Sequence, residues 1–403
     1  MQICILSAFE DSLSRDTGYS VRIYNLAKGL AKLGNNVCVI IPGRSVSIEK
    51  MEHFFVYKIN GVLPEKMLRF FSMSLGIAKP RTLLFYDPIF IFKIRNIIQS
   101  ADILQIEQQT AGGLLIPVIT RLWKKPVVVD SHDVFQALRT KHTTKLRRML
   151  ETFLEILAYK FASLIITVSE REKEILTSCG ISEEKVKVVP NGVDVKDFTN
   201  SCLDLTLVKK AYGLENCRIV VFVGNMEYPP NREAAELIAT KIAPLVCKEV
   251  DNVKFLMVGR CLEKIKSPNL IFTGTVKNIV EPLSISDVAV APLFRGSGTR
   301  LKVLEYLACG LPVISTAKGV EGLNLKNVDS VIIEDDIEKF ARNIIKVLKN
   351  PDLTEKLRRN AKKSVLDYDW KKISAQLHET YEEFLRKEIL SLLELIFLAK
   401  GKA

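Results

Sequence analysis

The sequence predicts an α/β protein with two doubly wound, Rossmann-like domains. Short apolar segments rich in β-branched residues alternate with longer amphipathic segments along most of the chain, which is typical of parallel sheets with helices on both faces. The chain has 403 residues, more than one hydrophobic core usually supports, so two domains are expected. A hydrophobic content of 48% indicates a globular protein.

The predicted strands fall into two series. The first lies near residues 2–7, 36–42, 53–59, 102–106, 126–130, 164–168 and 186–189, with a first helix over Ser20–Leu33. The second lies near residues 218–223, 253–258, 270–273, 288–292, 312–315 and 330–333, with helices over 231–247, 279–286, 300–309 and 336–349. Between them, residues 191–216 gain turn-forming residues and lose strand character. We therefore predict domains at 1–198 and 199–370, followed by C-terminal helices over 371–403 that return to the first domain.

The segment Val288–Thr316 is the most informative part of the chain. It predicts a buried strand, a loop containing Gly296 and Gly298, a helix that begins near Thr299–Arg300, and a second strand. Glycines let a loop approach a ligand closely, and the free N–H groups of a helix N-terminus attract anions. Arg300 and Lys302 add positive charge there, and Glu305 could accept hydrogen bonds from sugar hydroxyls. The pattern suits a nucleotide sugar, although such loops also occur without a ligand.

Composition narrows the class of protein further. Eight cysteines include no C-x-x-C pair, which favours reduced thiols and a cytoplasmic location. Four histidines show no metal-ligand spacing, so we expect no metal site. The segment MQICILS at Met1–Ser7 is itself a predicted strand, so we expect no signal peptide. The apolar run Ile389–Ala399 is too short to span a bilayer and contains Glu394.

The formal net charge of +12 is unevenly distributed along the chain. Lys58–Arg95 and Leu138–Lys160 combine lysine and arginine with aromatic and aliphatic residues. Such segments either contact anionic lipid as a peripheral membrane surface or form ordinary helices with a solvated cationic face. No nucleic-acid-binding motif accompanies the charge, so we expect no nucleic-acid partner.

Several motifs together resemble the GT-B glycosyltransferases, specifically glycosyltransferase family 4. They are DTGYSVRIYNLAKGLAKLGNNV, VVVDSHDV, VVPNGVD, GNMEYPPNREAAELI, KFLMVGR, FTGTV and APLFRGSGTRLKVLEYLACGLPVIST, spread from about residue 2 to 386. The resemblance implies two Rossmann-like domains that face a central cleft. It also implies that the C-terminal domain binds a nucleotide-sugar donor, such as a UDP- or GDP-sugar, and that the N-terminal domain binds the acceptor.

The resemblance assigns roles in the C-terminal domain residue by residue. Glu305 would accept hydrogen bonds from the donor ribose, and the backbone of Gly298 and Thr299 would contact the diphosphate. Arg300 and Lys302 would stabilise the leaving diphosphate in place of a metal ion. The nucleobase would lie against the backbone of Gly274, Thr275 and Val276.

The sequence departs from the family pattern at two places. Ser297 stands where a glutamate is common, eight residues before the ribose-binding glutamate. Asn231 stands where many members have a phosphate-binding lysine, and Asn225 at the preceding arginine position. Arg232 and Arg260 are alternative sources of that charge. These departures leave the sugar unidentified.

In the N-terminal domain, the resemblance implies that Gly18 approaches the diphosphate and that His132 contacts the transferred sugar. Asp133 is a second catalytic candidate. Glu107 and Gln108, at the end of a predicted strand, are candidate acceptor-binding residues.

The expected activity is transfer of a hexose-type sugar, with retention of configuration, to a glycan, lipid-linked or polymeric acceptor. We expect positioning and leaving-group stabilisation to carry catalysis, without a metal or cofactor. A non-hydrolysing nucleotide-sugar epimerase and a non-catalytic nucleotide-sugar-binding homologue are the alternatives. A NAD-dependent enzyme is disfavoured because no G-x-G-x-x-G follows the first strand.

Overall fold

The computed structural model separates into two compact units. One consists of Met1–Pro190 with Lys371–Ala403, and the other is Asn191–Trp370. The structure describes the chain except residues 8, 15–16, 65, 69, 71–86, 108–114, 117–118, 121, 135–144, 200–202, 262–264, 266, 297–298, 326–329 and 401–403, and except the side chains of 146–147 and 391–400. Gln108, Ser297 and Gly298 therefore lie outside the described residues, as do parts of both basic segments.

The first unit alternates strands and helices. Its strands are β1 Gln2–Leu6, β2 Asn36–Pro42, β3 Ser47–Lys50, β4 Phe55–Ile59, β5 Ile103–Glu107, β6 Val127–Ser131, β7 Leu164–Thr167 and β8 Val186–Val188. Its first helices are α1 Gly18–Lys32, α2 Pro88–Ser100, α3 Lys145–Phe161 and α4 Glu170–Ser178. Among the described residues these strands form one sheet in the order β3-β4-β2-β1-β5-β6-β7-β8.

One strand of this sheet was not predicted. β3 pairs antiparallel with β4, whereas the other neighbouring pairs in the described sheet are parallel. Its sequence is SIEK, and three of its four residues are exposed, including Ile48. An exposed edge strand lacks the apolar run that marks a buried one, so periodicity gives no signal for it.

The second unit repeats the alternation with a fully parallel sheet. Its strands are β9 Arg218–Val223, β10 Val253–Val258, β11 Leu270–Gly274, β12 Val288–Ala291, β13 Val313–Ser315 and β14 Val331–Ile333. They are arranged in the order β11-β10-β9-β12-β13-β14. The helices of this unit are α5 Val195–Thr199, α6 Leu205–Ala211, α7 Pro229–Leu237, α8 Ala243–Glu249, α9 Val280–Ser284, α10 Leu301–Ala308, α11 Ile337–Lys349 and α12 Pro351–Ser364.

Strand alternation explains why the strands of the second unit are apolar throughout. In β9, Val220 and Phe222 belong to one core cluster, while Ile219 and Val221 belong to another. Successive side chains of a strand point to opposite faces, so a sheet covered on both sides needs apolar residues at every position. The two doubly wound α/β units confirm the predicted fold class.

A π-helical turn interrupts the helix predicted over residues 231–247. α7 ends at Leu237, a π-helical turn covers Ile238–Ile242, and α8 follows from Ala243. Pro244 lies in the first turn of α8. Because proline has no N–H and its ring crowds the carbonyl of Thr240, the regular hydrogen-bond ladder cannot continue through this position.

The last helix, α13 Trp370–Lys400, begins at the end of the second unit and continues in the first. In the first unit Leu377 and Tyr381 are fully buried, and Gln376 Nε2 donates to Val188 O over 2.9 Å. Residues 191–198 belong to the second unit, where Val193 N donates to Tyr368 O at 2.8 Å. No helix in the described part of the chain combines the length and the hydropathy that a membrane span requires.

Candidate functional site

In the second unit, the predicted donor residues lie where the central strands β9 and β12 end and where α10 begins. α10 starts at Leu301, one or two residues later than predicted, with Arg300 as its N-cap. It ends in a Schellman motif, because Gly310 has φ +70° and Leu311 N donates to Tyr306 O over 3.0 Å. Tyr306 also accepts a 2.7 Å hydrogen bond from Val223 N through its hydroxyl. The helix is therefore anchored to the end of β9.

Lys302 is the centre of this site. Its Nζ donates to Asn231 Oδ1 over 2.8 Å and lies 4.4 Å from the centre of the Phe222 ring. Asn231 Nδ2 in turn donates to Asn225 O over 2.9 Å. Both polar atoms of the Asn231 side chain are thus engaged, and one of them holds the ammonium group in place.

The close packing of these groups requires glycine in the strand-end turn. A Cβ on Gly224 would lie 2.8 Å from Asn231 Cγ and 2.9 Å from Lys302 Nζ. Gly259 has φ +128°, and a Cβ there would lie 2.2 Å from Gly224 O. A side chain at Gly224 would therefore displace Asn231 or Lys302, and a side chain at Gly259 would displace the backbone of Gly224.

Burial shifts the protonation of both charged residues in α10. Desolvation, reinforced by repulsion from Arg300 and opposed by Glu305, lowers the pKa of Lys302 to about 7. Desolvation raises the pKa of Glu305 to about 6, against the attraction of Lys302. A partly buried ammonium group whose charge Glu305 compensates only in part favours an anionic ligand, since an anion would stabilise its charged form.

The residues before α10 pack tightly against each other. Arg300 is only 9% exposed, and a Cβ on Gly296 would lie 2.8 Å from Arg300 Nη2. Gly296 has φ +112°, a conformation that favours glycine. Thr299 Oγ1 accepts a hydrogen bond from Asn191 Nδ2. Because Gly296 has no side chain, the guanidinium group of Arg300 can pack directly against its backbone.

The other predicted donor residues are less closely engaged with this cluster. Asn225 Oδ1 caps the local turn by accepting from Glu227 N over 3.0 Å. Arg260 forms an exposed ion pair with Glu227, and Arg232 pairs with Glu236 one helical turn away, each at 3.1 Å. Gly274 has φ +71° and ends β11, and Thr275 and Val276 follow it.

In the first unit, a buried polar network lies at the ends of β5 and β6. Glu107 and Asp130 are register partners on these adjacent strands. His132 Nε2 lies 2.5 Å from Glu107 Oε2 and 3.8 Å from Asp130 Oδ2. Gln105 Nε2 donates to Glu107 Oε1 and, over 3.2 Å, to Asp130 Oδ2. Glu107, predicted to bind the acceptor, thus has protein partners on both carboxylate oxygens.

Arg22 of α1 supplies the compensating charge. Its Nε and Nη2 donate to the two carboxylate oxygens of Asp130 over 2.9 and 3.0 Å, and its Nη1 donates to Pro190 O over 3.0 Å. Arg22 and Asp130 are 1% and 0% exposed. A bidentate pair of this kind orients both groups, and its burial makes loss of one partner costly.

The network keeps His132 charged more readily than an isolated histidine. Burial lowers the pKa of His132, but attraction and hydrogen bonding from Glu107, with a contribution from Asp130, outweigh it, so the pKa is raised. Burial and repulsion from Asp130 raise the pKa of Glu107. Besides the interaction within the pair, both pKa shifts depend on the charges of Asp130 in β6 and Arg22 in α1.

Glu107, Asp130 and His132 also offer potential metal ligands, whose donor atoms lie within 4.8 Å of one another. The hydrogen bonds already described occupy these atoms, however, with Arg22 on Asp130 and Gln105 on both carboxylates. A cation would have to displace the guanidinium and the amide. The arrangement fits an internally compensated ionic network better than a metal centre.

The remaining predicted residues of the first unit lie near the ends of elements. Gly18 is the first residue of α1, which is capped by Ser20 Oγ accepting from Thr17 N over 3.1 Å. Asp133 directly follows His132 and is partly buried. Four further residues of this network were not predicted, namely Arg22, Gln105, Asp130 and Tyr381, and the Tyr381 hydroxyl donates to Gln105 Oε1. Arg22 carried a signal, because it is a charged residue between Val21 and Ile23 on an amphipathic helix.

Two family models match the chain. Residues 17–197 match "Glycosyltransferase Family 4", and residues 217–350 match "Glycosyl transferases group 1". The chain is 29% identical to an Escherichia coli UDP-Gal:alpha-D-GlcNAc-diphosphoundecaprenol alpha-1,3-galactosyltransferase over 255 residues, which are 58% of this chain and 63% of that protein. It is 23% identical to the Acholeplasma laidlawii alpha-monoglucosyldiacylglycerol synthase over 409 residues, with 94% and 96% of the two chains covered.

The same fold occurs in solved structures. The Anabaena protein HepE, crystallised in complex with UDP, superposes with a TM-score of 0.72 and 17% identity, covering 95% of this chain and 100% of that one. The chain spans 46% and 63% of the lengths of the first two curated relatives that it matches. With one glycosyltransferase model matching each unit and the fold shared along nearly the whole length, the chain belongs to the family 4, group 1 glycosyltransferases with the GT-B fold.

Proposed function

We propose that the protein is a retaining glycosyltransferase that moves a hexose-type sugar from a nucleotide-sugar donor to a lipid-linked or other glycan acceptor. The observation that carries this proposal is the arrangement around Lys302, held by Asn231 at 2.8 Å with Glu305 in the same helix. We assign donor binding to the second unit and acceptor binding to the first.

The chemistry of Lys302 and Arg300 supports the donor assignment. Both are positively charged groups at the N-terminal end of α10, where free N–H groups also favour an anion. A diphosphate would stabilise the charged form of Lys302, which burial disfavours. During transfer the same groups would stabilise the charge that develops on the leaving diphosphate, without requiring a metal ion or cofactor.

Glu305 fits the ribose of the donor. A carboxylate is an acceptor-only group and can accept from two neighbouring hydroxyls. The Anabaena protein was crystallised with UDP, which makes a UDP-sugar the first donor to test. Thr299, Gly274, Thr275 and Val276 remain proposed donor contacts, as do Ser297 and Gly298, which lie outside the described residues.

The names of the relatives support a lipid-linked acceptor. The E. coli protein acts on a diphosphoundecaprenol-linked sugar, and the A. laidlawii protein is a glycolipid synthase. The first unit has a surface suited to such an acceptor. One face of α3 exposes Met149, Leu150 and Phe153 together with Lys145 and Lys160. Exposed apolar side chains among lysines favour the surface of an anionic membrane, so we propose peripheral membrane binding on the cytoplasmic side.

His132 and Asp133 are the proposed catalytic residues of the first unit. His132 has one ring nitrogen engaged by Glu107, and its side chain is 17% exposed, so the other edge of the ring can contact a substrate. A charged imidazole beside the transferred sugar would hydrogen-bond to a hydroxyl or phosphate oxygen and help to position it.

A panel of UDP-, GDP- and ADP-sugars tests the proposal. Incubation with detergent-solubilised undecaprenyl-linked and diacylglycerol-linked acceptors, followed by NMR and mass spectrometry, separates the candidate functions. Transfer of sugar with release of the nucleoside diphosphate supports the proposal, and the anomeric coupling of the product tests retention. An isomerised donor would identify an epimerase instead, and donor binding without any reaction would identify a non-catalytic homologue.

A further inference from the structure

The C-terminal helix reaches into the buried network of the first unit through a single hydroxyl group. Tyr381 of α13 is fully buried and donates to Gln105 Oε1. Gln105 then donates through Nε2 to Glu107 and Asp130, and Glu107 Oε2 contacts His132 Nε2. Four side chains from three elements thus form one continuous hydrogen-bonded chain that ends at His132.

The direction of each hydrogen bond is fixed by chemistry. An amide oxygen can only accept and an amide nitrogen can only donate. Because the two carboxylates only accept, the nitrogen of the Gln105 amide must face them, and its oxygen then accepts from the Tyr381 hydroxyl. A flipped amide would place its oxygen against both carboxylates, which is repulsive, so the observed orientation leaves Oε1 to accept from the Tyr381 hydroxyl.

The fixed amide determines how Glu107 meets His132. Donation from Gln105 stabilises Glu107 as an anion and holds its Oε1, which leaves Oε2 for the imidazole. Glu107 and Gln105 are both buried, so their side-chain hydrogen bonds are shielded from solvent. Among the described residues His132 Nδ1 makes no hydrogen bond, so this nitrogen remains for a substrate group.

We propose that Tyr381, Gln105 and Glu107 are positioning residues, which together hold the imidazole of His132 with Nε2 inward and Nδ1 directed to the substrate. This inference rests on the proposed function, in which His132 contacts the transferred sugar. It also assigns a function to α13 beyond packing, because the helix supplies the hydroxyl group that holds the amide oxygen of Gln105 in place. Charged groups on other elements act on the same imidazole, namely Asp130 of β6 and Arg22 of α1.

Titration of His132 by NMR tests the proposal without requiring turnover. The protein has four histidines, so labelled imidazole signals can be assigned with a His132→Gln variant. We expect Glu107→Gln to lower the pKa of His132, since it removes the anion that raises it. Gln105→Leu and Tyr381→Phe should also lower the pKa of His132. Each weakens the hydrogen bonding that stabilises Glu107 as an anion, and a Glu107 with less negative charge raises the pKa of His132 less.

Tyr159→Phe is a matched control. Tyr159 is equally buried in the same unit, and its hydroxyl bonds to Ser131 and Glu155 over 2.7 and 2.8 Å, outside the chain of bonds that ends at His132. It should leave the His132 titration unchanged. If Gln105→Leu fails to fold, Tyr381→Phe, which keeps the aromatic ring and its packing, carries the test alone.

An unchanged or raised His132 pKa in folded Tyr381→Phe overturns the positioning role of Tyr381. In the transfer assay we expect Tyr381→Phe to lower kcat about 10-fold with the donor KM unchanged, because a misoriented group affects the reaction more than ground-state binding. Failure of the donor panel would refute the proposed function and leave the titration result standing. Sugar transfer by the wild-type protein together with an unshifted His132 pKa in Tyr381→Phe would refute only the positioning role and leave the proposed function standing.

Discussion

Lys302 and Asn231 form a pair in which a neutral amide oxygen, not a carboxylate, holds a partly buried ammonium group at 2.8 Å. An amide oxygen positions the lysine without neutralising it. Glu305 is the carboxylate that lowers the cost of its charge, but burial still brings the pKa of Lys302 down to about 7. The site is therefore arranged to gain stability when an anion binds, which links the folding energetics of α10 to the proposed donor.

Donor binding should have a pH optimum between about 6 and 7. Below about 6 Glu305 becomes protonated and loses its capacity to accept from both ribose hydroxyls, and above about 7 Lys302 loses its proton in the free protein. Calorimetric titration with UDP across this range measures the affinity. We expect Lys302→Met to abolish the alkaline limb and Glu305→Gln the acid limb. A pH-independent affinity in the wild-type protein would refute both assignments.

Lys302→Met should stabilise the protein while it lowers activity. The pKa of Lys302 is about 7 in the folded protein and 10.5 in the unfolded chain. Burial of the charged form therefore lowers the free energy of unfolding below pH 10.5, and this cost reaches its maximum below pH 7. An isosteric apolar side chain removes this cost, roughly 1–3 kcal/mol at neutral pH. Urea denaturation measures the gain, and the transfer assay should show about a 100-fold loss of kcat. A less stable variant would contradict this account.

Arg22→Met should destabilise the first unit strongly. Removal of the guanidinium leaves Asp130 buried without its bidentate partner, which typically costs about 3–5 kcal/mol. Urea denaturation followed by fluorescence measures the loss. The double variant Arg22→Met with Asp130→Leu should recover part of it, because no buried charge remains unpaired. A single variant within about 0.5 kcal/mol of wild type would show that the pair is energetically unimportant.

Chelation should leave transfer intact. Arg300 and Lys302 supply positive charge to the proposed diphosphate site, and the candidate metal ligands of the first unit are engaged by Arg22 and Gln105. We expect the full rate of transfer after treatment with EDTA and removal of the chelator. A loss of about 10-fold or more that Mg²⁺ or Mn²⁺ restores would contradict the charge assignment.

Membrane binding should depend on the exposed face of α3. We expect the protein to float with vesicles of phosphatidylcholine and phosphatidylglycerol, and the double variant Met149→Glu with Phe153→Glu to lose this binding. Leu205→Glu with Leu207→Glu is the matched control, since these exposed leucines lie on α6 of the second unit. If the α3 double variant floated with the vesicles as fully as the α6 control, α3 would not be the lipid-binding surface.

The strands of the second unit were predictable because their chemistry is local. Each buried strand carries apolar residues on both faces, and the predicted and observed bounds differ by no more than one residue at every end. The edge strand β3 and the π-helical turn at Ile238–Ile242 were not predicted. The first has an exposed polar sequence, and the second arises from the position of Pro244 within an otherwise regular apolar pattern.

The contacts of the candidate sites could not be predicted from local sequence. Lys302 and Asn231 are 71 residues apart, and Arg22 and Asp130 are 108 residues apart, so their pairing depends on strand order. Motifs did identify Lys302, Glu305 and His132 as candidates. They gave no indication of the partners that orient these groups, because Gln105 and Tyr381 act through buried hydrogen bonds that no spacing rule records.

The most direct test of the donor site is calorimetric titration of the full chain with UDP and its sugars at pH 6.5. Wild-type protein should bind at one site, and Lys302→Met should weaken binding about 10-fold or more. Lys346→Met, which removes an exposed lysine from α11 of the same unit, should bind like wild type. Equal affinities for Lys302→Met and wild type would contradict the placement of the diphosphate at α10.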